Sequence, residues 1–166
     1  MHNIIIREIR QEELPLLENM LYEAIYQPDK VNPIPREVIN LPEINTYIDG
    51  FGEKKDDHCF ISESDGKIVG AVWVRILSGE IKGYGNIDEY TPEFAISLYK
   101  EYRHRGIGTR LMSTMITYLR DKGYAQTSLH VKKDNYAVKL YRKMGFVVID
   151  EDEEDYLMLL KMNNDE

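Results

Sequence analysis

The chain has 166 residues, 43% of them hydrophobic and 30% charged, and a net charge of -8. At roughly 150 residues per domain this predicts one domain, residues 1–166, with a substantial core, and no apolar run approaches the ~20 residues needed to cross a bilayer. The acidic balance disfavours nucleic acid as a partner, the single cysteine, Cys59, rules out an internal disulfide, and His2, His58, His104 and His130 lack metal-ligand spacing.

The opening Met1-His2-Asn3-Ile4-Ile5-Ile6-Arg7 has neither a charged leader nor a small-residue cleavage site, so a soluble, cytoplasmic chain is expected. Residues 4–10 read as a strand, and Glu12 to Tyr26 as a helix with Leu14, Leu17, Leu21, Ala24 and Ile25 at helical spacing. Pro28, Pro33, Pro35 and Pro42 make the next stretch irregular or broken into short helical pieces until roughly Glu43–Asp49. His58–Glu63 and Lys67–Leu77 read as strands of a hairpin around Ser64-Asp65-Gly66. Gly79, Gly83 and Gly85 punctuate a loop that reaches Pro92, and Glu93–Tyr99 follows as a strand. Gly106 to Lys122 has Ile107, Leu111, Met115 and Leu119 on one helical stripe, stopped by Gly123. Thr127–Val131 is a strand and Asn135–Met144 a helix closed by Gly145; strands near Phe146–Ile149 and Tyr156–Lys161 end the chain. This order predicts an α/β fold with one mixed sheet of about six to seven strands and helices on both faces.

Chemistry concentrates between a strand and a helix, in Arg103-His104-Arg105-Gly106-Ile107-Gly108-Thr109-Arg110. The first N–H groups of a helix lack internal partners and sit at the positive end of its dipole, which stabilises an anion. Glycines at 106 and 108 let the backbone approach a phosphate. The spacing lacks the third glycine of the nicotinamide fingerprint and the Gly-Lys-Ser/Thr ending of a nucleoside-triphosphate loop. Arg-x-x-Gly-x-Gly from Arg103 to Gly108 resembles the pyrophosphate-binding loop of GNAT acetyltransferases. A second stretch, Asp134-Asn135-Tyr136-Ala137-Val138-Lys139-Leu140-Tyr141-Arg142-Lys143-Met144-Gly145-Phe146, resembles that family's later motif, an Asn near an Ala, then Leu-Tyr and Gly-Phe. Both follow a strand and stand in family order, and the resemblance covers most of residues 4–161. Many members place the Asn three residues before the Ala, where this chain has Asp134; Asn135 lies two before, which leaves the cofactor contact open between them.

The resemblance implies transfer of an acetyl group from acetyl-coenzyme A to a primary amine by direct attack in a ternary complex. An alkyl ammonium of pKa ~10.4 is mostly protonated at neutral pH, so a base must remove a proton. Glu93, at the start of the strand before the phosphate loop, is where similar enzymes often carry a glutamate acting directly or through water; Asp88 and Glu89 stand nearby as alternatives. Tyr141 matches the residue that protonates or hydrogen-bonds the departing thiolate. A phenol of pKa ~10 facing a thiol of ~8.5 favours hydrogen bonding over full transfer. By the same resemblance Ile96, Ser97 and Leu98 hold the pantetheine arm, with the Leu98 N–H polarising the thioester carbonyl. Arg103, His104, Arg105, Gly106, Ile107, Gly108 and Thr109 hold the pyrophosphate, and Asn135 and Tyr141 complete the cofactor site.

Other residues have plainer readings. His130, between Leu129 and Val131, reads as a strand histidine rather than a base, Cys59 as core packing, and Glu151–Asp155 as a solvated loop rather than a cation trap. A cofactor-binding sensory domain without turnover is the alternative to an enzyme, and a longer acyl donor the alternative to acetyl. The acceptor class spans small-molecule and peptide amines, such as a polyamine, an aminoglycoside or a peptide amine. No membrane partner is expected. Related enzymes often pair, which makes a homodimer an expectation of the resemblance alone.

Overall fold

The computed structural model describes residues 3–27 and 31–162; the readings that touched Met1, His2 and Pro28, and the end of the 1–166 domain, lie outside the described residues. Seven strands form one sheet in the order β1-β2-β3-β4-β5-β7-β6. They are β1 (Ile4–Glu8), β2 (His58–Ser64), β3 (Lys67–Arg75), β4 (Glu93–Leu98), β5 (Gln126–Lys132), β6 (Val147–Glu151) and β7 (Asp155–Lys161). The helices are α1 (Leu17–Ala24), α2 (Pro42–Asn45), α3 (Ile107–Asp121) and α4 (Ala137–Lys143). Every neighbouring pair is antiparallel except β4 with β5.

The expected helix from Glu12 to Tyr26 is divided. Gln11–Leu16 is a 3-10 turn containing Pro15, and regular α-helix begins at Leu17. Proline has no N–H to donate and disfavours helical geometry at Leu14 before it, so the α-ladder starts only beyond it. The strand expected over 4–10 closes at Glu8, although the Ile9 N–H still bonds Cys59 O at 3.1 Å. β3 stops at Arg75 rather than Leu77, and β4 at Leu98 rather than Tyr99. The acidic run Glu151–Asp155 is the β6–β7 turn, where Asp152 Oδ1 accepts the N–H groups of Glu154 and Asp155 at 2.9 and 2.8 Å.

Period-2 alternation along the central strands divides the core. Val72, Val74 and Phe94 pack with Leu111, Met112, Met115 and Leu119 of α3, a cluster that also holds Val138 and Tyr141 of α4. Ala71 and Trp73 pack on the opposite side with Leu17, Met20 and Leu21 of α1. Cys59 belongs to this second cluster, where burial pushes its thiol up.

Candidate active site

β4 and β5 run parallel and are in register at one place, Glu93 opposite Ser128, whereas β4 stays paired with β3 from Glu93 to Leu98. Beyond this vertex the strands part, and the edge of β4 along Ala95 to Leu98 faces a gap instead of a ladder. Main-chain groups that leave a ladder require other partners, and an extended chain bearing amides can supply them. The vertex is pinned from the loop before β4. Pro92 O accepts the Ser128 N–H at 3.1 Å and the Thr127 hydroxyl at 2.8 Å, and Ser128 Oγ donates to Gly85 O at 2.6 Å.

Glu93 stands at this vertex, 3% exposed, on the side of the sheet that carries Trp73. The Tyr47 hydroxyl and the Gly85 N–H, the latter at 3.0 Å, both donate to its Oε2; Oε1 has no hydrogen-bond partner among the described residues. Burial pushes the carboxyl from 4.5 up to about 7, against the opposing pull of the Tyr47 and Gly85 hydrogen bonds. Two glycines make room for it. A Cβ on Gly83 would lie 2.1 Å from Oε1, and one on Gly85 would lie 2.9 Å from Oε2. Tyr47 also accepts the Tyr84 N–H at 2.9 Å and is held from behind by Trp73 Nε1, which donates to Tyr47 O at 3.1 Å. Burial, and then the Glu93 carboxylate, raise the pKa of Tyr47 far above that of an ordinary phenol, so it stays a donor.

At the far end of β4 the chain turns through left-handed His104 (φ 64°) and Gly106 (φ 83°) into α3. The left-handed region favours glycine because it has no Cβ to clash, which accounts for Gly106. The first intrahelical bond of α3 runs from Arg110 N to Gly106 O at 3.2 Å. The N–H groups of Ile107, Gly108 and Thr109 therefore lie before the ladder, and no acidic side chain occupies that first turn. Arg103 anchors the turn through Nε to Leu98 O at 2.9 Å and lies 4.0 Å from Glu23 of α1. Arg105 is exposed and sits over the Tyr102 ring.

The second motif meets this turn. A Cβ on Gly108 would touch Leu140 of α4 at 3.5 Å, and the His104 ring lies 5.3 Å from that of Tyr136. Asn135 serves the fold directly, because its Oδ1 accepts the Ala137 N–H at 2.8 Å where the chain enters α4. Tyr141 is buried beside Phe146, 6.1 Å between ring centroids, and Phe146 in turn packs edge-on against Phe94. Burial pushes the Tyr141 hydroxyl up, so it too remains protonated. Tyr141 and Glu93 thus belong to opposite sides of β4.

The alternative bases compare poorly with Glu93. Asp88 and Glu89 are exposed, and the hydrogen bonds of Thr91 and then of the Tyr90 N–H hold the Asp88 carboxyl low. His130 is half-buried, stacks on Tyr84 and lies 3.8 Å from Asp155; burial lowers its basicity. Tyr47, Gly83, Gly85 and Ser128 are neighbours of Glu93 that the sequence alone does not single out. Tyr47 carries no motif, and Gly83 and Gly85 look like ordinary loop punctuation; their spacing ahead of a strand-initial glutamate is the one available signal.

No helix among the described residues is long and apolar enough to cross a membrane. The described fold resembles that of PaiA N-acetyltransferase from Thermoplasma acidophilum in complex with coenzyme A, with a TM-score of 0.67 at 22% identity, covering 96% of this chain and 99% of that one. It also resembles a putative acetyltransferase from Salmonella typhimurium with acetyl-CoA, with a TM-score of 0.67 at 16% identity, covering 99% of this chain and 96% of that one. A mycothiol acetyltransferase from Arthrobacter is 33% identical over 91 residues, 54% of this chain and 27% of that protein. An N-alpha-acetyltransferase from Sulfurisphaera tokodaii is 31% identical over 91 residues, 52% of this chain and 54% of that protein. The chain thus spans about a quarter to a half of the length of these relatives. The acetyltransferase (GNAT) family model matches residues 19–146, a stretch running from α1 through Phe146 and containing the parted strands, the glycine turn and α4; the chain belongs to the GNAT family of acetyltransferases.

Proposed function

We propose that this protein is an N-acetyltransferase that moves the acetyl group of acetyl-coenzyme A to a primary amine by direct attack in a ternary complex. The observation that carries this reading is the parting of β4 from β5 at a vertex holding a buried carboxyl whose pKa is raised to about 7. The coenzyme A and acetyl-CoA present in the two structural relatives support the choice of co-substrate.

The free N–H groups of Ile107, Gly108 and Thr109, with Arg103, His104, Arg105 and Gly106 in the turn, suit the pyrophosphate. The open edge at Ile96, Ser97 and Leu98 suits the pantetheine amides, with the Leu98 N–H polarising the thioester oxygen. Glu93 then takes a proton from the incoming ammonium, directly or through water. Raising its pKa to about 7 narrows the gap to an amine near ~10.4 and makes it a stronger base than a solvated carboxylate. The amine nitrogen bonds the acyl carbon, the C–S bond breaks, Tyr141 donates a hydrogen bond to the departing thiolate, and the second nitrogen proton leaves to that thiolate or to water, giving the acetamide and free coenzyme A. With its hydroxyl pushed up by burial, Tyr141 stabilises that charge more readily than it surrenders a proton. The acidic chain favours a cationic acceptor, a small-molecule or peptide amine.

The test is calorimetric titration with acetyl-coenzyme A, followed by free-thiol release from the same protein against a panel of amines. Binding with amine-dependent release is the expected result. Binding without release across the panel would favour a sensory domain, and no binding would remove the cofactor assignment.

A further inference from the structure

Arg75 of β3 stands directly opposite Glu93 of β4 in the antiparallel register, on the same side of the sheet. Opposed side chains start only ~4.5–5.5 Å apart, so a guanidinium there is well placed to pair with the carboxylate. Instead it turns to Asp57. Nε donates to Asp57 Oδ1 at 3.1 Å, Nη2 to Oδ2 at 2.8 Å, and Nη1 to the carbonyls of Thr46 and Asp49 at 3.0 and 2.8 Å. Both side chains are buried, Arg75 at 2% exposure and Asp57 at 0%. Asp57 Oδ2 also accepts the Gly52 and Lys54 N–H groups, which closes the loop between Asp49 and Asp57 around the pair. The carbonyls that Arg75 binds flank Tyr47, whose hydroxyl donates to Glu93 Oε2.

The geometry points to Arg75 and Asp57 as a positioning pair for Glu93: Asp57 draws the guanidinium away from its cross-strand neighbour, while Arg75, through Thr46 O and Asp49 O, sets Tyr47 against the carboxyl. This rests on the reading of Glu93 as the base. A cation beside Glu93 would hold it ionised and make it a weak base. The groups that face Glu93 are Tyr47 from the segment after α2, Arg75 from β3, the Gly85 N–H from the loop, and Ser128 from β5, with His130 two residues further along β5 stacked on Tyr84. Within this set of described residues Arg75 is the one permanent cation.

The titration of Glu93 is read without substrate, from the pH dependence of urea stability in each background with and without Glu93→Gln. Asp57→Asn leaves Arg75 free to pair with Glu93, and the midpoint is expected to fall by at least about one pH unit. Asp57→Asn combined with Arg75→Gln removes both charges and with them the hold on Tyr47 through Thr46 O and Asp49 O, so the midpoint should move up from the parent's rather than down. Tyr47→Phe removes a donor to the carboxylate and should raise it. A pair that serves only to hold the loop would disturb the midpoint alike in the single and double variants. That result, or an unchanged or raised midpoint in Asp57→Asn, overturns the proposal. Should Asp57→Asn fail to fold, the double variant decides: a midpoint raised toward that of Tyr47→Phe upholds the positioning role, and an unmoved or lowered one refutes it. Amine-dependent thiol release by the parent is measured alongside. Its absence would remove the transferase reading and leave the titration result standing, whereas release with an unmoved Asp57→Asn midpoint overturns the positioning role alone.

Discussion

Glu93→Gln should gain stability relative to the parent as pH rises toward neutrality, while removing the proposed base. The carboxyl titrates near 7 in the folded chain against 4.5 when solvated, so between those values the folded state keeps a proton that the unfolded state has lost. Unfolding then releases a proton, and the parent's stability falls as pH rises through that window, levelling off above about 7. A shift from 4.5 to about 7, at 1.36 kcal/mol per pH unit, corresponds to about 3 kcal/mol. With Glu93 at 3% exposure, little solvent screening reduces that figure. Glutamine cannot titrate, and its amide oxygen can accept the same donors from Tyr47 and Gly85. Urea unfolding of parent and variant from about pH 4 to about pH 8 should show the variant gaining about 3 kcal/mol relative to the parent across the window. That is roughly 6–12 °C in Tm for a chain of this size. A fixed offset between the two curves reflects packing and is immaterial. A difference that stays constant with pH to within about 0.5 kcal/mol would refute the buried, raised carboxyl and the base role that depends on it.

Gly83→Ala would place a Cβ where Glu93 Oε1 now lies and displace the carboxyl, so kcat/KM should fall on the order of 10²-fold with acetyl-coenzyme A affinity preserved, as steady-state kinetics and calorimetry would show. Gly108→Ala makes ordinary contact with Leu140 and should be tolerated, whereas Gly108→Trp should abolish acetyl-coenzyme A binding in calorimetry; normal binding by the tryptophan variant would mean that the phosphate site lies elsewhere. Tyr141→Phe should leave cofactor binding within about twofold and slow transfer by about 10²-fold, measured as thiol release. The acid limb of the kcat/KM profile should turn near pH 7 through ionisation of Glu93 and flatten in Glu93→Gln; a profile unchanged by that substitution would assign the proton transfer to water, Asp88 or Glu89.

The local chemistry of this chain is legible in its sequence because it resides in short segments. Helical spacing from Ile107 to Leu119, glycines at 106 and 108 where that helix starts, and the strand-initial position of Glu93 each follow from a few neighbouring residues, and all three recur in the structure. The divided first helix is legible in principle, since Pro15 stands in plain view within it. Longer-range pairing is beyond sequence reasoning. That β4 and β5 part at Glu93 depends on where Pro92, Gly85 and Ser128 meet in space, and these residues come from segments some 35 to 43 positions apart. Tyr47 reaches Glu93 across 46 positions, and Arg75 turns to Asp57 rather than to its cross-strand neighbour. The sequence by itself put a carboxylate at the start of the strand before the glycine turn, and the family resemblance offered it as a base. Only the tertiary structure decided that it is buried, bonded through one oxygen and spared a cation, because desolvation is a property of everything packed around a group and not of its neighbours along the chain.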